Sequence, residues 1–451
     1  MLRIALISLL VLNFFLFFIL PVKDNDFGWH YRCGAEFLTQ GKLCLSNDYA
    51  YFLPGYHWAY PSFLYDVSLA GIFNHFGFVG VSVFGAIIFT IIYLIYFFLL
   101  KGPTAFRIVL IIGTIALSWS IFSLGYRSQI LGLLFFMVEL LILERSLWLI
   151  PILFFLWANS HASFFLGPLI LAVYGIRFLQ NRTGLKQYIF IFAISIGATL
   201  INPFGWRIYW EIIQHFNSPL NTMIAEWTRP EDWQIIIIVT GIIFSLALSI
   251  KNKTFRDYRF LLLVIFGIFA FSARRNLPLY YLVFFYFLSQ QIDWKKFELD
   301  FVFVSVLLGG VLFFGLNLSE MLSDGAFTKE AYCRNLSLPC EAIQVFTFDS
   351  GNIFNTYEWG GYLVWKLPTN KIFVDGRMPA WQDENGESPY AVFLKILQTQ
   401  PGWNEKLTQL NTKYIFIGRG TFLDLLLQKE KEAYGWKEEY RDNIAVIYKR
   451  T

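Results

Sequence analysis

From Leu2 to Asn317 the chain is a nearly continuous series of apolar segments, and this pattern constrains its fold more than any other feature. Only 15% of the residues are charged and 56% are hydrophobic, whereas soluble domains average about 25% charged residues. A membrane-spanning helix needs roughly 17 to 25 mainly apolar residues. The sequence therefore predicts a polytopic α-helical membrane protein.

About eleven segments are candidate membrane helices on these criteria. They lie at 2–21, 79–100, 104–121, 128–143, 147–158, 163–179, 187–201, 233–250, 258–273, 277–290 and 300–316. The first is predicted to be a retained helix, because no small-x-small cleavage site precedes Lys23 and its apolar run is long for a signal peptide.

The positions of Lys and Arg predict how these helices are oriented. With the N-terminus in the cytoplasm, every second connection is cytoplasmic, and each of these short connections carries Lys or Arg, as the positive-inside rule requires. Those residues are Lys101, Arg107, Arg145, Arg177, Arg182, Lys186, Lys251, Lys253, Arg256, Arg259, Lys295 and Lys296. The transmembrane domain is predicted to cover 1–317, and its long loop 22–65 is predicted to be external.

The composition changes after residue 317, where charge rises and short strands alternate with helical patterns. Strands are predicted at 371–375, 413–417, 436–440 and 444–448, and helices near 389–400, 403–410 and 421–433. This alternation predicts that 318–451 forms a small extracytoplasmic α/β domain with a partly parallel sheet.

Polar residues concentrate at the predicted outer ends of the apolar segments, where a charged group is expensive and usually marks a site. Asp24 and Asp26 follow the first helix, and a helix at 27–38 would place Asp26 and His30 on one face. An aspartate can accept a proton from an incoming nucleophile, so Asp26, Asp24 and His30 are the candidate catalytic residues. The D-x-D spacing can also hold a divalent cation such as Mg²⁺ or Mn²⁺. The alternative is that two acids simply end a helix at the membrane interface.

Arg127, Arg274 and Arg275 lie at helix ends that are predicted to be outside, against the positive-inside tendency. A guanidinium group matches the oxygens of a phosphate in pairs. His161, in a tight turn, is expected either to donate a further hydrogen bond or to protonate a leaving phosphate. These residues predict a phosphate site, and the alternative is that the arginines only reach lipid headgroups.

Four further residues are weaker candidates for binding an acceptor. His57 lies where the first loop approaches the membrane again, and Glu226 lies in the Trp-rich segment 202–232. Asp375 and Arg377 follow a predicted strand, a place where ligand-facing loops occur. For Glu226, the solvated face of an interfacial helix is the alternative.

The cysteines form two close pairs, Cys33 with Cys44 and Cys333 with Cys340, in segments that are predicted to be external. Two local disulfides in an oxidising compartment are one interpretation. Free thiols that serve as small apolar residues are the other. Neither pair has two further ligands nearby that would indicate a zinc site.

The chain resembles bacterial integral membrane proteins of the GT-C glycosyltransferase superfamily, and the resemblance extends over nearly its whole length. The first loop carries it in Asp24, Asp26, Phe27, Trp29, His30, Arg32, Gly34, Glu36 and Leu38, followed by Asp48, Phe52, Pro54, Gly55 and Trp58. Later motifs are W-A-N-x-H at 157–161, N-P-F-G at 202–205, A-R-R-N at 273–276, N-x-Y-E-W-G-G-Y-L at 355–363 and D-G-R at 375–377.

This resemblance implies a glycosyltransferase at the outer face of a bacterial inner membrane, with a polyprenyl-phosphate-linked sugar as the donor from the lipid bilayer. By position, Asp26 matches the acid that activates or orients the acceptor, and Asp24 matches a second acid or metal ligand. The acceptor is expected to be a glycan, a lipid or a protein. No nucleic acid is expected as a partner, because the net charge of +4 is not concentrated on one face.

Two other functions are compatible with the same residues. A lipid or solute transporter would use them to line a pathway, although transporters usually show internal repeats, which the sequence lacks. A non-catalytic envelope-assembly protein would keep the fold without the activity. The glycosyltransferase is the leading hypothesis because the polar residues cluster at one predicted membrane face.

Overall fold

The computed structural model describes residues 2–181, 183–218, 224–292 and 328–451. The predicted span at 300–316, the basic residues Lys295 and Lys296 and the predicted domain boundary at 317 lie outside the described residues.

Among the described residues up to 292, the regular elements are helices, apart from isolated β-bridges at Ser46, Ala50 and His57. The α-helices are α1 (Leu2–Phe18), α2 (Phe27–Gln40), α3 (Phe63–Leu99), α4 (Thr104–Leu117), α5 (Trp119–Phe122), α6 (Ser128–Leu143), α7 (Ile150–Ala158), α8 (Leu166–Tyr174), α9 (Ile176–Asn181), α10 (Leu185–Thr199), α11 (Arg207–Asn217), α12 (Asp232–Lys251), α13 (Tyr258–Ser272) and α14 (Leu277–Gln291). Helix α2 confirms the helix predicted at 27–38.

Three of the described helices are long and apolar enough to cross a membrane. They are Phe63–Leu99, Ala162–Gln180 and Asp232–Lys251, which overlap the predicted segments 79–100, 163–179 and 233–250. Shorter apolar helices occur at Leu6–Phe18, Thr104–Leu117, Ser128–Leu143, Leu147–Ala158, Leu185–Thr199 and Tyr258–Ser272. The total of about eleven spans stays a prediction.

Helix α3 contains a sharp break. Gly77 has φ 59° and ψ −154°, which is not a helical conformation. A residue with a side chain rarely adopts this positive φ, so the glycine permits the chain to change direction inside the apolar segment. The break at Gly77 separates the first part of α3, which contains Asp66, from the apolar remainder of the helix.

The chain divides into two compact units. One contains the described residues of Met1–Val22, Val81–Trp206 and Thr222–Phe327, and the other contains those of Lys23–Gly80, Arg207–Asn221 and Thr328–Thr451. The first will be called the helical unit and the second the sheet unit. The sheet unit therefore contains three parts of the chain: the loop that follows α1, helix α11 and the C-terminal residues.

Small residues bring helices of the helical unit into close contact. A Cβ added to Gly241 on α12 would lie 2.4 Å from the hydroxyl oxygen of Tyr280 on α14. The same hydroxyl donates a hydrogen bond to the carbonyl oxygen of Ile238 at 3.1 Å. Small residues at such interfaces allow apolar helices to pack closely where no hydrophobic effect draws them together.

The C-terminal residues form a five-stranded sheet in the described part of the chain, with strand order β2-β1-β3-β5-β4. The strands are β1 (Asn352–Asn355), β2 (Lys371–Ile372), β3 (Thr412–Gly418), β4 (Trp436–Arg441) and β5 (Ala445–Arg450), and the helices are Lys329–Asn335, Cys340–Val345, Gly360–Lys366, Pro389–Leu397, Trp403–Gln409 and Phe422–Glu430. Strand β1 is parallel to both of its neighbours, whereas β5 is antiparallel to β3 and β4. The predicted partly parallel sheet is confirmed.

Both cysteine pairs are disulfides in the sheet unit. Cys33 on α2 is bonded to Cys44 with a Cα–Cα distance of 5.7 Å, and Cys333 is bonded to Cys340 with a Cα–Cα distance of 6.0 Å. Closing loops this short restricts the unfolded chain enough to contribute roughly 2–3 kcal/mol each. The first bridge fixes the end of the loop that carries the two aspartates.

Candidate active site

Asp24 and Asp26 lie just before α2. Asp24 is 2% exposed, and its Oδ1 accepts a hydrogen bond from the backbone N–H of Asp26 at 3.1 Å. Its carbonyl oxygen accepts another from the hydroxyl of Tyr332 at 3.2 Å. Asp26 is half-buried and occupies the N-cap position of α2, where the helix dipole stabilises negative charge. Asp24 therefore orders the loop, and Asp26 is the more accessible carboxylate.

Two glycines hold this loop directly against the G-G-Y segment of the C-terminal region. A Cβ added to Gly28 would lie 2.0 Å from the carbonyl oxygen of Gly361. A Cβ added to Gly361 would lie 2.2 Å from the carbonyl oxygen of Asn25. Backbone approaches this close are possible only without side chains, so the D-x-D and E-W-G-G-Y motifs form one packed structure.

Gly376, the centre of the D-G-R motif, is in contact with Asp26. A Cβ added to this glycine would lie 1.9 Å from Oδ1 of Asp26 and 3.0 Å from its Oδ2. The carboxylate therefore rests on the backbone of residue 376. The contact limits the positions that the Asp26 side chain can occupy.

Asp375 and Arg377 form a buried ion pair on either side of that glycine. Arg377 donates from Nε and Nη2 to the two carboxylate oxygens of Asp375, at 2.8 and 2.5 Å. The guanidinium carbon also lies 5.2, 5.5 and 5.6 Å from the ring centroids of Tyr49, Trp58 and Trp381. A bidentate pair among aromatic rings is strongly held. Its burial favours a positioning role over the predicted contact with an acceptor.

Tyr357 adds a hydroxyl to this group. Burial raises the pKa of Tyr357, and the negative charges of Asp26 and Asp375 raise it further. The phenol therefore stays protonated at neutral pH and can act as a hydrogen-bond donor.

His30 is anchored by a second carboxylate. Its Nδ1 lies 2.5 Å from Oδ1 of Asp66 at the start of α3, and both side chains are nearly fully buried. The ring also stacks on Trp29, with centroids 3.5 Å apart. A Cβ added to Gly34 would lie 2.0 Å from the carbonyl oxygen of Asp66. These contacts indicate that His30 helps to fix the position of α2. The catalytic role of His30 stays a prediction.

A separate charged cluster lies in the helical unit. Arg127 forms an ion pair with Glu226, and Nε2 of Gln129 donates to the other oxygen of that carboxylate at 3.0 Å. Burial acts to raise the pKa of Glu226, but the charges of Arg127 and Arg275 and the two hydrogen bonds outweigh it, so the pKa lies below its ordinary value. Glu226 is therefore a carboxylate that partly neutralises the arginines.

Arg275 belongs to the same cluster. Its guanidinium carbon lies 4.2 Å from the ring centroid of Trp227. Burial lowers the pKa of Arg275, while Glu226 acts to raise it. Because arginine does not lose its proton in proteins, this partly desolvated cation is suited to binding an anion.

His161 also belongs to this cluster. Its Nδ1 accepts a hydrogen bond from the backbone N–H of Ser163 at 3.1 Å. Burial, followed by the charges of Arg275 and Arg127, lowers the pKa of His161 to about 3. The imidazole is thus neutral at physiological pH, and with Nδ1 accepting, its proton lies on Nε2. Of the two predicted roles, this favours hydrogen-bond donation over protonation of a leaving group.

Arg274 is bound differently from its neighbour. Its Nη1 lies 3.3 Å from Oε1 of Glu231, and its Nε donates to the carbonyl oxygen of Arg229 at 3.2 Å. These contacts hold the side chain against the segment that precedes α12. Of the two adjacent arginines, Arg275 is the one that interacts electrostatically with Glu226 and His161.

The predicted site residues fall into two groups. The sheet unit contains Asp24, Asp26, His30, His57, Asp375 and Arg377. The helical unit contains Arg127, His161, Glu226, Arg274 and Arg275. In the sheet unit, Asp26 contacts Gly376 of the D-G-R motif. In the helical unit, Arg127 forms an ion pair with Glu226. Glu226 was predicted to bind the acceptor, and the structure instead pairs it with a predicted phosphate ligand.

The predicted metal ligands are Asp24 and Asp26. Among the described residues, no group of three or more His, Cys, Asp and Glu side chains is arranged to hold a metal ion. Magnesium commonly takes one or two carboxylates and completes its shell with water and phosphate oxygens. Asp24 already accepts the Asp26 amide, so these residues fit only a cation that receives most of its ligands from water or substrate.

Three residues of these groups escaped the sequence analysis: Gln129, Trp227 and Tyr357. Tyr357 lies in the N-x-Y-E-W-G-G-Y-L motif, which could have indicated it. Gln129 and Trp227 adjoin candidate residues closely in sequence, but their residue types alone do not distinguish them from ordinary interfacial side chains.

The fold of the chain, apolar helices with a C-terminal sheet domain, is similar to that of solved oligosaccharyltransferases. The chain matches archaeal oligosaccharyltransferase AglB from Archaeoglobus fulgidus in complex with an inhibitory peptide and a dolichol-phosphate, with a TM-score of 0.60 and 11% identity over 100% of this chain and 74% of that one. It also matches the A. fulgidus oligosaccharyltransferase tethered with an acceptor peptide containing the NVT sequon (TM-score 0.59, 11% identity, 99% and 74% covered).

A third match is the A. fulgidus enzyme in complex with Zn and sulfate, with a TM-score of 0.56 and 11% identity over 98% of this chain and 73% of that one. No protein-family model and no curated protein matches the sequence. At such low identity the likeness shows the fold alone. The predicted helical fold with a C-terminal α/β domain is confirmed at that level, whereas the GT-C assignment stays a prediction.

Proposed function

We propose that the protein is a membrane glycosyltransferase that moves a sugar from a polyprenyl-phosphate-linked donor to an acceptor in the cell envelope, at the outer face of a bacterial inner membrane. The observation that carries this proposal is the half-buried Asp26 carboxylate, seated on Gly376 at the start of α2. It occurs in a chain that shares its fold, over its whole length, with an oligosaccharyltransferase.

Asp26 is the proposed base. An oxygen or nitrogen of the acceptor attacks the anomeric carbon of the donor, and the bond from that carbon to the phosphate oxygen breaks. The bonding electrons leave with the phosphate, and the acceptor's proton passes to a carboxylate oxygen of Asp26. A single displacement of this kind inverts the anomeric configuration.

Arg127, Arg275 and Nε2–H of His161 are the proposed ligands of the donor phosphate. Phosphate oxygens can bind a guanidinium group in pairs, whereas Arg127 contacts only one oxygen of the Glu226 carboxylate. Binding would then shift Arg127 from Glu226 towards the donor. Arg274 is not included, because its side chain is held by Glu231 and by the backbone of residue 229.

A divalent cation, if required, would be held by Asp24 and Asp26 and would offset negative charge on the phosphate. The acceptor class is left as a glycan, a lipid or a protein. Support for a peptide comes from the structural neighbours, which were solved with an inhibitory peptide and with a tethered acceptor peptide. The two disulfides support an oxidising compartment for the sheet unit.

The proposal is tested by mass spectrometry of envelope glycolipids and glycoproteins from cells with and without the protein. The expected result is at least one species that lacks a sugar residue when the protein is removed and regains it on complementation. Identical glycolipid and glycoprotein profiles would overturn the transferase proposal. Altered uptake or export without a change in any glycan would favour the transporter.

The two adjacent arginines give a matched test of the phosphate site. Arg275→Gln removes a charge-assisted hydrogen bond of about 1.5–3 kcal/mol, so the KM for the lipid-linked donor should rise about 10- to 100-fold. Arg274→Gln removes a partly exposed ion pair and should change the KM by less than about threefold. Donor titrations of both variants in proteoliposomes measure this. Equal effects of the two substitutions would contradict the assignment.

A further inference from the structure

A cavity of about 160 Å³ lies in the sheet unit between the first loop and α11. The loop contributes Tyr56 and His57, and α11 contributes Arg207, Trp210, Glu211 and Gln214. Its volume is below the roughly 300–1,000 Å³ of pockets that hold drug-sized ligands. The cavity therefore accommodates a single small ring and is too small for a drug-sized ligand.

Glu211 lies in the wall of this cavity. Burial raises the pKa of Glu211 to about 7, although the backbone N–H of Ala59, the indole of Trp381 and the charge of Arg207 act in the opposite sense. The carboxyl group is thus only partly solvated. A partly desolvated carboxyl group gains more from a ligand hydroxyl than one that is fully hydrated.

The remaining lining suits a neutral polar ring. The side chain of Trp210 is 53% exposed, so its flat indole face is available for stacking. The Gln214 amide supplies both a donor and an acceptor. The charges of Arg207 and Glu211 oppose each other, so neither an anion nor a cation is favoured over an uncharged ligand with several hydroxyl groups.

Aromatic contacts connect this cavity to the proposed base. Tyr56 stacks on Trp381, with ring centroids 4.8 Å apart and an interplanar angle of 22°. The guanidinium of Arg377 lies 5.6 Å from the same Trp381 ring, and Arg377 is bound to Asp375, beside the glycine on which the Asp26 carboxylate rests. A ligand in the cavity would therefore contact Tyr56, which is connected through Trp381 and Arg377 to the candidate active site.

We propose that this cavity binds one sugar ring of the acceptor, with Trp210 stacking on the ring and Glu211 and Gln214 hydrogen-bonded to its hydroxyl groups. The inference rests on the proposed transferase function and narrows the acceptor to a molecule that already carries a saccharide. It extends the acceptor site from His57, predicted as a weak contact, to helix α11.

The test is saturation-transfer NMR of the purified full-length protein in nanodiscs with methyl glycosides of glucose, galactose, mannose, N-acetylglucosamine and arabinose as probes. At least one glycoside should bind to the wild-type protein. Trp210→Ala should weaken that binding about tenfold, the effect of about 1.4 kcal/mol, and Trp210→Phe should restore most of it. Trp206→Ala is the matched control, because Trp206 is exposed on the same segment but does not line the cavity.

The pH dependence of stability gives a second readout for Glu211. A carboxyl group whose pKa is raised by folding favours the folded state while it is protonated, and this contribution is lost as pH rises through the folded value. The Tm difference between Glu211→Gln and the wild-type protein should therefore grow from pH 5 to pH 8 in favour of the variant. The other ionisable groups at the cavity, Arg207, His57 and Tyr56, are the same in both proteins.

Binding by none of the five glycosides, or binding that Trp210→Ala leaves unchanged, would overturn this inference. Binding of a tetra-lysine peptide in place of the glycosides, lost in Glu211→Gln, would also overturn it. Neither measurement requires turnover, so failure here is distinguishable from failure of the transferase proposal, which is judged on envelope glycans.

Discussion

Asp26→Asn is expected to lower the rate of sugar transfer about 10²- to 10⁴-fold, the usual contribution of a general base. Asparagine has nearly the same shape as aspartate, so the contact with Gly376 and the N-terminus of α2 should be preserved. It cannot accept the acceptor's proton. The measurement is the initial rate with saturating donor and acceptor in proteoliposomes. A second measurement asks whether the variant restores the glycan species that cells lacking the protein do not make.

Asp48→Asn is the matched control for this substitution. Asp48 lies in the same external loop, but its carboxylate is bound by Lys42 and Ser46, each at 2.8 Å, on the surface. Its loss should change transfer by less than about twofold, because exposed ion pairs contribute little. Wild-type transfer by Asp26→Asn, or an equal loss in both variants, would exclude Asp26 as the base.

Local sequence patterns predicted many of the elements that position the candidate site. The helix considered at 27–38 is present as α2, and strands β3, β4 and β5 lie within two residues of the predicted ones. These segments have alternating or continuous apolar patterns bounded by turn residues, which encode strands locally.

Strand β1 was missed although it lies between two others. It is only four residues long, at Asn352–Asn355, which is too short for a periodic pattern. Strand β2 was predicted at 371–375 and ends at Ile372. The reason is Asn355, whose side-chain oxygen accepts hydrogen bonds from the backbone N–H groups of Phe373 and Val374 at 2.8 and 3.3 Å. The Asn355 side chain thus takes the place of backbone hydrogen bonds from a neighbouring strand. Strand propensity does not indicate such a substitution.

The partners within each charged group could not be predicted from residue spacing. The contact of Asp26 with Gly376 and the ion pair of Arg127 with Glu226 each join distant parts of the chain. In the D-G-R motif, the charged residues Asp375 and Arg377 were predicted as site residues, but the residue that contacts the candidate base is the glycine between them. Its importance depends on the close approach of the Asp26 carboxylate to the backbone of residue 376, which leaves no signal in composition or periodicity.

Gly376→Ala should therefore reduce transfer about 10²-fold or more, although it adds only a methyl group and leaves every candidate catalytic residue in place. The new Cβ would lie 1.9 Å from Oδ1 of Asp26, so the carboxylate must move by more than an ångström. A displacement of about 1 Å can cost about 10²-fold in rate. Overpacking should also lower the free energy of unfolding by about 1–3 kcal/mol. Gly418→Ala is the control, since its Cβ would meet Thr421 at an ordinary 3.7 Å.

A double-substitution cycle separates this specific clash from general damage to the fold. If the methyl group acts through the Asp26 carboxylate, Gly376→Ala should lower the Tm in the wild-type background and have little effect in an Asp26→Ala background. The coupling between two residues in direct contact is expected to be about 0.5–3 kcal/mol. Equal losses of Tm in both backgrounds, or full transfer by Gly376→Ala, would mean that the glycine does not position the base. A Tm loss confined to the wild-type background, accompanied by lost transfer, would show that the D-G-R backbone sets the geometry of the proposed proton acceptor.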